Sequence, residues 1–233
     1  MIKKLMLAAV LALAGAITAP SLRAAETDLL PALQPYAAQA TKEFSMIPPD
    51  RQQMLRTIAL YVKSRNAAGE TAQLTFICTA NSRRSHFAAA WAQTAALYYD
   101  VPNVKIFSGG IQVTACNIRT VDTLRRAGFS VKDSTGGTNP VYLIQYSDKA
   151  PPMRAFSKYY NQDGNPTNNY LAGMTCANAD KNCPIVQGSS MRVGIHYDDP
   201  KDADGTPGEQ AAYDATCRLI AREMFFIFSQ VNS

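Results

Sequence analysis

The chain predicts a three-layer α/β fold, a doubly wound sheet of four parallel strands preceded by a helical extension. Two observations lead there. From about residue 73 onward, short apolar runs of strand length alternate with segments of helical period, and that order calls for parallel strands with helices laid on their faces. A chain of 233 residues is also long enough for one sizeable core and an extension, so a single domain is expected.

Residues 1–24 stand apart from it. Lys3 and Lys4 precede the apolar stretch Leu5 to Ala19 and then Leu22-Arg23-Ala24, the basic, apolar, small-residue order of a secretory signal peptide. At about 15 residues the apolar stretch suits a cleaved signal and is short for a membrane span. The expected mature protein is exported to a bacterial periplasm and leaves the membrane after cleavage. Residues 25–70 form the helical extension, with helices from Pro31 to Phe44 and from Asp50 to about Ala67. The second is opened by Pro48-Pro49-Asp50 and carries Met54, Ile58, Leu60 and Tyr61 on its apolar side.

The domain proper is expected over 71–233. Its first strand is Gln73 to Ile77, and the helix after the next loop places Phe87, Trp91, Ala95 and Tyr98 on one face, which makes Trp91 a core residue. A second strand, Val104 to Phe107, runs into Ser108-Gly109-Gly110, and a helix from about Asn117 to Ala127 stops at Gly128. A third strand covers Val141 to Gln145. Polar, Pro- and Gly-bearing residues 146–169 read as an irregular insertion with room for one short helix. A fourth strand covers Tyr170 to Thr175, and a last helix runs from about Glu209 to Val231 with Tyr213, Cys217, Ile220, Met224 and Ile227 on one stripe. Cys217 is thereby a buried, inert thiol.

Of the net charge of +5, three positive charges (Lys3, Lys4, Arg23) fall in the signal segment, and the remainder is too small to argue for a nucleic-acid partner. Five cysteines in an exported chain allow two internal disulfides and leave one thiol over, and a reactive Cys78 fits that odd place.

Cys78-Thr79-Ala80-Asn81-Ser82-Arg83-Arg84-Ser85 follows the first strand directly. A loop between a strand and a helix N-terminus offers outward backbone N–H groups and the positive end of the helix dipole, so it can hold a tetrahedral oxyanion and favour a thiolate with the same atoms. Cys78 is the candidate nucleophile. Arg84 is the planar, bidentate clamp for two anion oxygens, and Ser85 a hydroxyl that can donate to the thiolate. Arg83 adds charge, though it reads more simply as a solvated loop arginine. In this setting the segment resembles the anion-binding loop of the low-molecular-weight protein tyrosine phosphatases and of the thioredoxin-coupled arsenate reductases that share their fold. Asn81 matches both branches, Ala80 replaces their usual glycine, and Arg83 stands where a cysteine is common.

The resemblance, which covers about residues 73 to 231, implies further roles. Asp199, about 120 residues after Cys78 and directly before Pro200, matches the general acid that protonates a leaving oxygen. The segment from Thr175 to Pro184 matches the reductase stretch whose two cysteines relay oxidation out of the site. By that match Cys78 attacks arsenate, Cys176 attacks the adduct and releases arsenite, and Cys183 closes a Cys176–Cys183 redox-active disulfide for an external thiol reductant such as a thioredoxin-like partner. No cofactor is implied. Two other readings of the cysteine pair stand beside this one: a permanent structural disulfide, and zinc ligation with His196, which is short of a fourth ligand.

Aromatic residues typical of the phosphatases are missing after Pro200, which favours arsenate over a phosphate ester, with Tyr159 and Tyr160 as a substitute aromatic wall for the phosphatase reading. The acidic residue that serves a potassium site in reductases falls on Ala89, and export separates this chain from a cytosolic reductant. The expected enzyme is therefore an arsenate reductase, the alternative a low-molecular-weight phosphatase, and the third reading a non-catalytic anion-binding or redox-sensing protein.

Overall fold

The computed structural model describes residues 28–162 and 164–232; the expected signal segment lies outside them. Along the chain follow α1 (Gln34–Lys42), α2 (Pro49–Ala67), β1 (Ala72–Cys78), α3 (Arg84–Tyr98), β2 (Val104–Gly110), α4 (Ile118–Ala127), β3 (Ser130–Asp133), β4 (Tyr142–Gln145), β5 (Met153–Ala155), β6 (Tyr170–Met174), α5 (Ala177–Asn182), β7 (Ser189–Gly194) and α6 (Glu209–Ser229). Among the described residues no helix is long and apolar enough to cross a membrane.

Four parallel strands form the main sheet in the order β2-β1-β6-β7. One face of β1 presents Ala72, Leu74 and Phe76 to a core shared with α1, α2, α3 and α6. The sheet's other face, with Ile77 of β1 and Tyr170, Ala172 and Met174 of β6, is covered by α5 and by the segments around Ile111 and Tyr160. The sequence places four strands in this sheet but not the right four. The run ending at Gln145 is β4, and it pairs antiparallel with β3 and β5 in a separate three-stranded sheet. The fourth parallel strand is β7, whose half-exposed edge pattern carries little strand signal. Strand β5 also lies inside the 146–169 insertion, where the described residues form no helix.

Helix ends follow local chemistry. The Asn117 side chain accepts from the Arg119 N–H at the start of α4, and Gly128, at φ 109°, closes its end in a conformation only glycine adopts without cost. On α2 the buried face is Leu55, Ile58, Ala59, Tyr61 and Val62, so the expected apolar residues Met54 and Leu60 face solvent instead. Trp91 and Cys217 are both buried, and the indole Nε1–H donates to the Cys217 sulfur at 3.1 Å.

Candidate active site

All four carboxyl ends of the parallel sheet converge on one cavity of about 740 Å³, the position that a doubly wound sheet provides for a ligand. β1 delivers Cys78 and the loop to Arg84, β2 the segment Gln112 to Asn117, β6 Asn178, and β7 the loop that carries Asp199 and Lys201.

The anion loop is held from outside by its carbonyls. Thr79 O accepts from the N–H groups of Ile111 and Gln112, both at 2.9 Å; Ala80 O accepts from Ser157 Oγ at 2.8 Å; Ser82 O accepts from Asn117 N–H at 3.0 Å. Because a trans peptide is planar, each outward carbonyl sends the next residue's N–H the opposite way. The amides of Ala80 and Arg83 thus turn toward the cavity that these residues line. Asn81 sits at φ 43°, a left-handed conformation that asparagine tolerates better than most residues. Gly110 is required by close approach: a Cβ there would lie 2.7 Å from Asn81 N and 2.9 Å from Thr79 O.

Behind the loop a buried relay ends on the sulfur. Asn81 Nδ2 donates to Ser85 Oγ at 2.9 Å, and Ser85 Oγ lies 3.1 Å from Cys78 Sγ. With one Ser85 lone pair occupied by the Asn81 donor, its own proton is free to point at Cys78, where it stabilises negative charge on sulfur. Arg84 reaches across to the β7 loop, donating to Tyr197 O at 2.9 Å and to Asp199 Oδ2 at 2.6 Å. Clamp and acid candidate are therefore held as one unit, with Asp199 Oδ1 also accepting from Lys201 N–H at 3.2 Å. Three cations (Arg83, Arg84, Lys201) face one carboxylate (Asp199) in the lining, a balance that draws an oxyanion in.

Of the residues expected from sequence, Cys78, Thr79, Ala80, Ser82, Arg83, Arg84 and Asp199 line the cavity, with Asn81 and Ser85 buried behind it. Arg83 is not a solvated loop arginine. Its Nε donates to Tyr213 Oη at 2.7 Å and a terminal nitrogen lies 3.4 Å from Asp204. Tyr213, pushed up to about 12 chiefly by burial, remains a phenol there. Tyr159 and Tyr160 do not line the cavity, and among the described residues none of its lining is aromatic.

Cys176 lies just outside the cavity lining, its sulfur 3.4 Å from Thr79 Oγ1 and accepting from Ala179 N–H as the N-cap of α5. Cys183 is the C-cap of the same helix, partly exposed. Both are free thiols. His196 pairs with Asp180 at 2.8 Å, and the described residues contain no cluster of three or more metal-ligating side chains.

Sequence reasoning missed Cys116. It is buried in the cavity wall, and burial, followed by the nearby Cys78, pushes its thiol up to about 12, so it stays protonated. Around Ala89 a second cavity of about 280 Å³ is lined, among the described residues, by His86, Ser108, Arg154 and Lys158 and by no carboxylate.

A cysteine at a strand end with its Asn–Ser relay, and an arginine paired with a carboxylate, on one cationic cavity fit a thiol-based oxyanion enzyme. No family model matches the chain. It is 26% identical to arsenate reductase 2 of Staphylococcus epidermidis over 125 residues, 54% of this chain and 76% of that one. It is 28% identical to the arsenate reductase of Bacillus licheniformis over 138 residues, 59% and 81%. A low-molecular-weight phosphotyrosine phosphatase from Vibrio cholerae aligns in structure at TM-score 0.48 and 11% identity, covering 70% of this chain and 97% of that one. In sequence the chain is thus a distant match to arsenate reductases.

Proposed function

We propose that the protein is an arsenate reductase with a cysteine relay, exported and working with a periplasmic dithiol reductant of the thioredoxin kind. The observation that carries this reading is the Cys176 sulfur lying 3.4 Å from the hydroxyl of Thr79, the residue next to the nucleophile. An ester hydrolase needs no second thiol there. The cavity lining supports a small inorganic anion as well, since among the described residues it offers cations and amides but no ring on which an aryl ester could stack.

In this reading Arg84 and the loop amides bind arsenate, and the Cys78 thiolate forms a bond to arsenic as one oxygen leaves as water, protonated by Asp199. The Cys176 thiolate then attacks the Cys78 sulfur. The sulfur–arsenic bond breaks, its electron pair stays on arsenic, and arsenite departs, leaving a Cys78–Cys176 disulfide. Cys183 attacks Cys176, frees Cys78, and leaves a Cys176–Cys183 disulfide that the external dithiol reduces.

Arsenate reduction with a dithiol reductant and aryl-phosphate hydrolysis, run in parallel on wild type, Cys78→Ser and Cys183→Ser, test this. Cys78→Ser should lose both activities, whereas Cys183→Ser should lose multiple-turnover arsenate reduction and keep any ester hydrolysis. Arsenate turnover at the wild-type rate in Cys183→Ser rejects the relay; ester hydrolysis without arsenate reduction in wild type assigns the protein to the phosphatase branch.

A further inference from the structure

One buried ion pair joins the N-terminal helices to the site. Arg51, on α2, donates through Nε to Glu223 Oε1 at 2.9 Å and through a terminal nitrogen to Glu223 Oε2 at 2.8 Å. Glu223, on α6, is 3% exposed. It also accepts from Tyr197 Oη at 2.7 Å, while the Arg51 guanidinium lies 5.1 Å from the centroid of the Tyr197 ring. Burial and then the Glu223 charge raise Tyr197 well above the usual phenol range, which keeps its proton in that bond. The backbone carbonyl of the same Tyr197 accepts from Arg84, and Asp199 follows two residues later. Tyr197 N–H is tied to Thr175 O at 3.1 Å.

From this chain of contacts we infer that Arg51 and Glu223 are positioning residues for the oxyanion clamp: through Tyr197 they set where the β7 loop presents its carbonyl and Asp199 to Arg84. The inference rests on the reading of Arg84 as the anion clamp and Asp199 as the acid. A bidentate carboxylate–guanidinium pair fixes direction as well as distance, and a tyrosine bonded to it cannot rotate or shift without leaving a buried charge partly unpaired. Helix α2 precedes the first strand of the parallel sheet, so the extension supplies a part of the site and not only a cover for the core.

The test measures inorganic phosphate binding by calorimetry, turnover and melting temperature in Tyr197→Phe, Arg51→Lys and the charge-removing double variant Arg51→Met/Glu223→Gln. Phosphate binding reads the clamp whether or not the protein reduces arsenate, so failure of the proposed function and failure of this inference are separable. Arg218→Gln serves as the control. It breaks a comparable pair, Arg218 to Glu43 at 2.9 Å, that joins the same extension to α6 without leading to Tyr197. Tyr197→Phe keeps the ring and removes one hydrogen bond to a charged group, so it should stay folded and bind phosphate about tenfold more weakly. The two Arg51 variants should weaken binding similarly and lower turnover further, while Arg218→Gln changes melting temperature alone. Wild-type affinity and turnover in folded Tyr197→Phe overturn the inference, as does equal weakening in Arg218→Gln, which would mean that the extension acts by general packing.

Discussion

Asn81 shows how much of the site rests on a single side chain. It holds the left-handed turn of the anion loop at φ 43° and donates to Ser85, which in turn meets Cys78. Asn81→Ala removes that donor and places an ordinary residue at positive φ, a cost of about 1–2 kcal/mol, so stability and turnover should fall together. Ser85→Ala removes only the donor to sulfur, and turnover should drop about tenfold with phosphate affinity nearly unchanged. The cysteines divide by the same logic of environment. Burial holds Cys116 near 12 and Cys217 near 11, so peptide mapping after iodoacetamide at pH 8 should find partly exposed Cys183 modified and those two intact. The loop from Cys78 to Ser85 was legible because its residues are contiguous and follow an apolar strand. The partners of Arg83 were not, since Tyr213 and Asp204 lie 130 and 121 residues away and no local pattern connects them.

At the scale of elements, the close approach of β2 to the anion loop is the sharpest constraint. A methyl group at Gly110 meets three backbone atoms within 2.9 Å, none of which can rotate away, so Gly110→Ala should displace the loop and reduce phosphate binding by at least tenfold even where the protein folds. Helix α5 sets a second requirement. Its caps, Cys176 and Cys183, are separated by a helix whose rise puts their Cα atoms on the order of 10 Å apart, beyond the reach of a disulfide. Closing that bond must unwind α5. Hydrogen exchange should therefore show the amides of Asp180 and Cys183, now bonded to Cys176 O and Ala179 O, losing protection in the oxidised protein; protection retained with the disulfide formed contradicts this geometry. Periodicity made α3, α4 and α6 readable within a few residues. It could not assign β4 to the second sheet, because the run from Val141 to Gln145 carries a strand's alternation whichever partner it takes, nor find β7, whose alternation rests on Met191 and Val193 alone.

Across the whole molecule, the two N-terminal helices, the sheet and α6 share one core, and a buried histidine makes its stability depend on pH. His86 is buried beside Ser108, and burial holds it near 4 against the ordinary 6.5. The unfolded chain takes up that proton below about 6.5 while the folded chain refuses it until about 4, so stability is complete above 6.5 and declines as pH falls between the two values. The loss is about 3 kcal/mol. Urea melts from pH 7 to 4 should show a shallower decline in His86→Gln, and parallel declines would place the acid sensitivity elsewhere.

The most direct test of the central claim is a single exposure of reduced Cys183→Ser to arsenate without reductant, followed by peptide mass mapping. The relay predicts one equivalent of arsenite and a trapped Cys78–Cys176 disulfide. Arsenate consumed with Cys176 still a free thiol, or no arsenite at all from a folded protein, contradicts it.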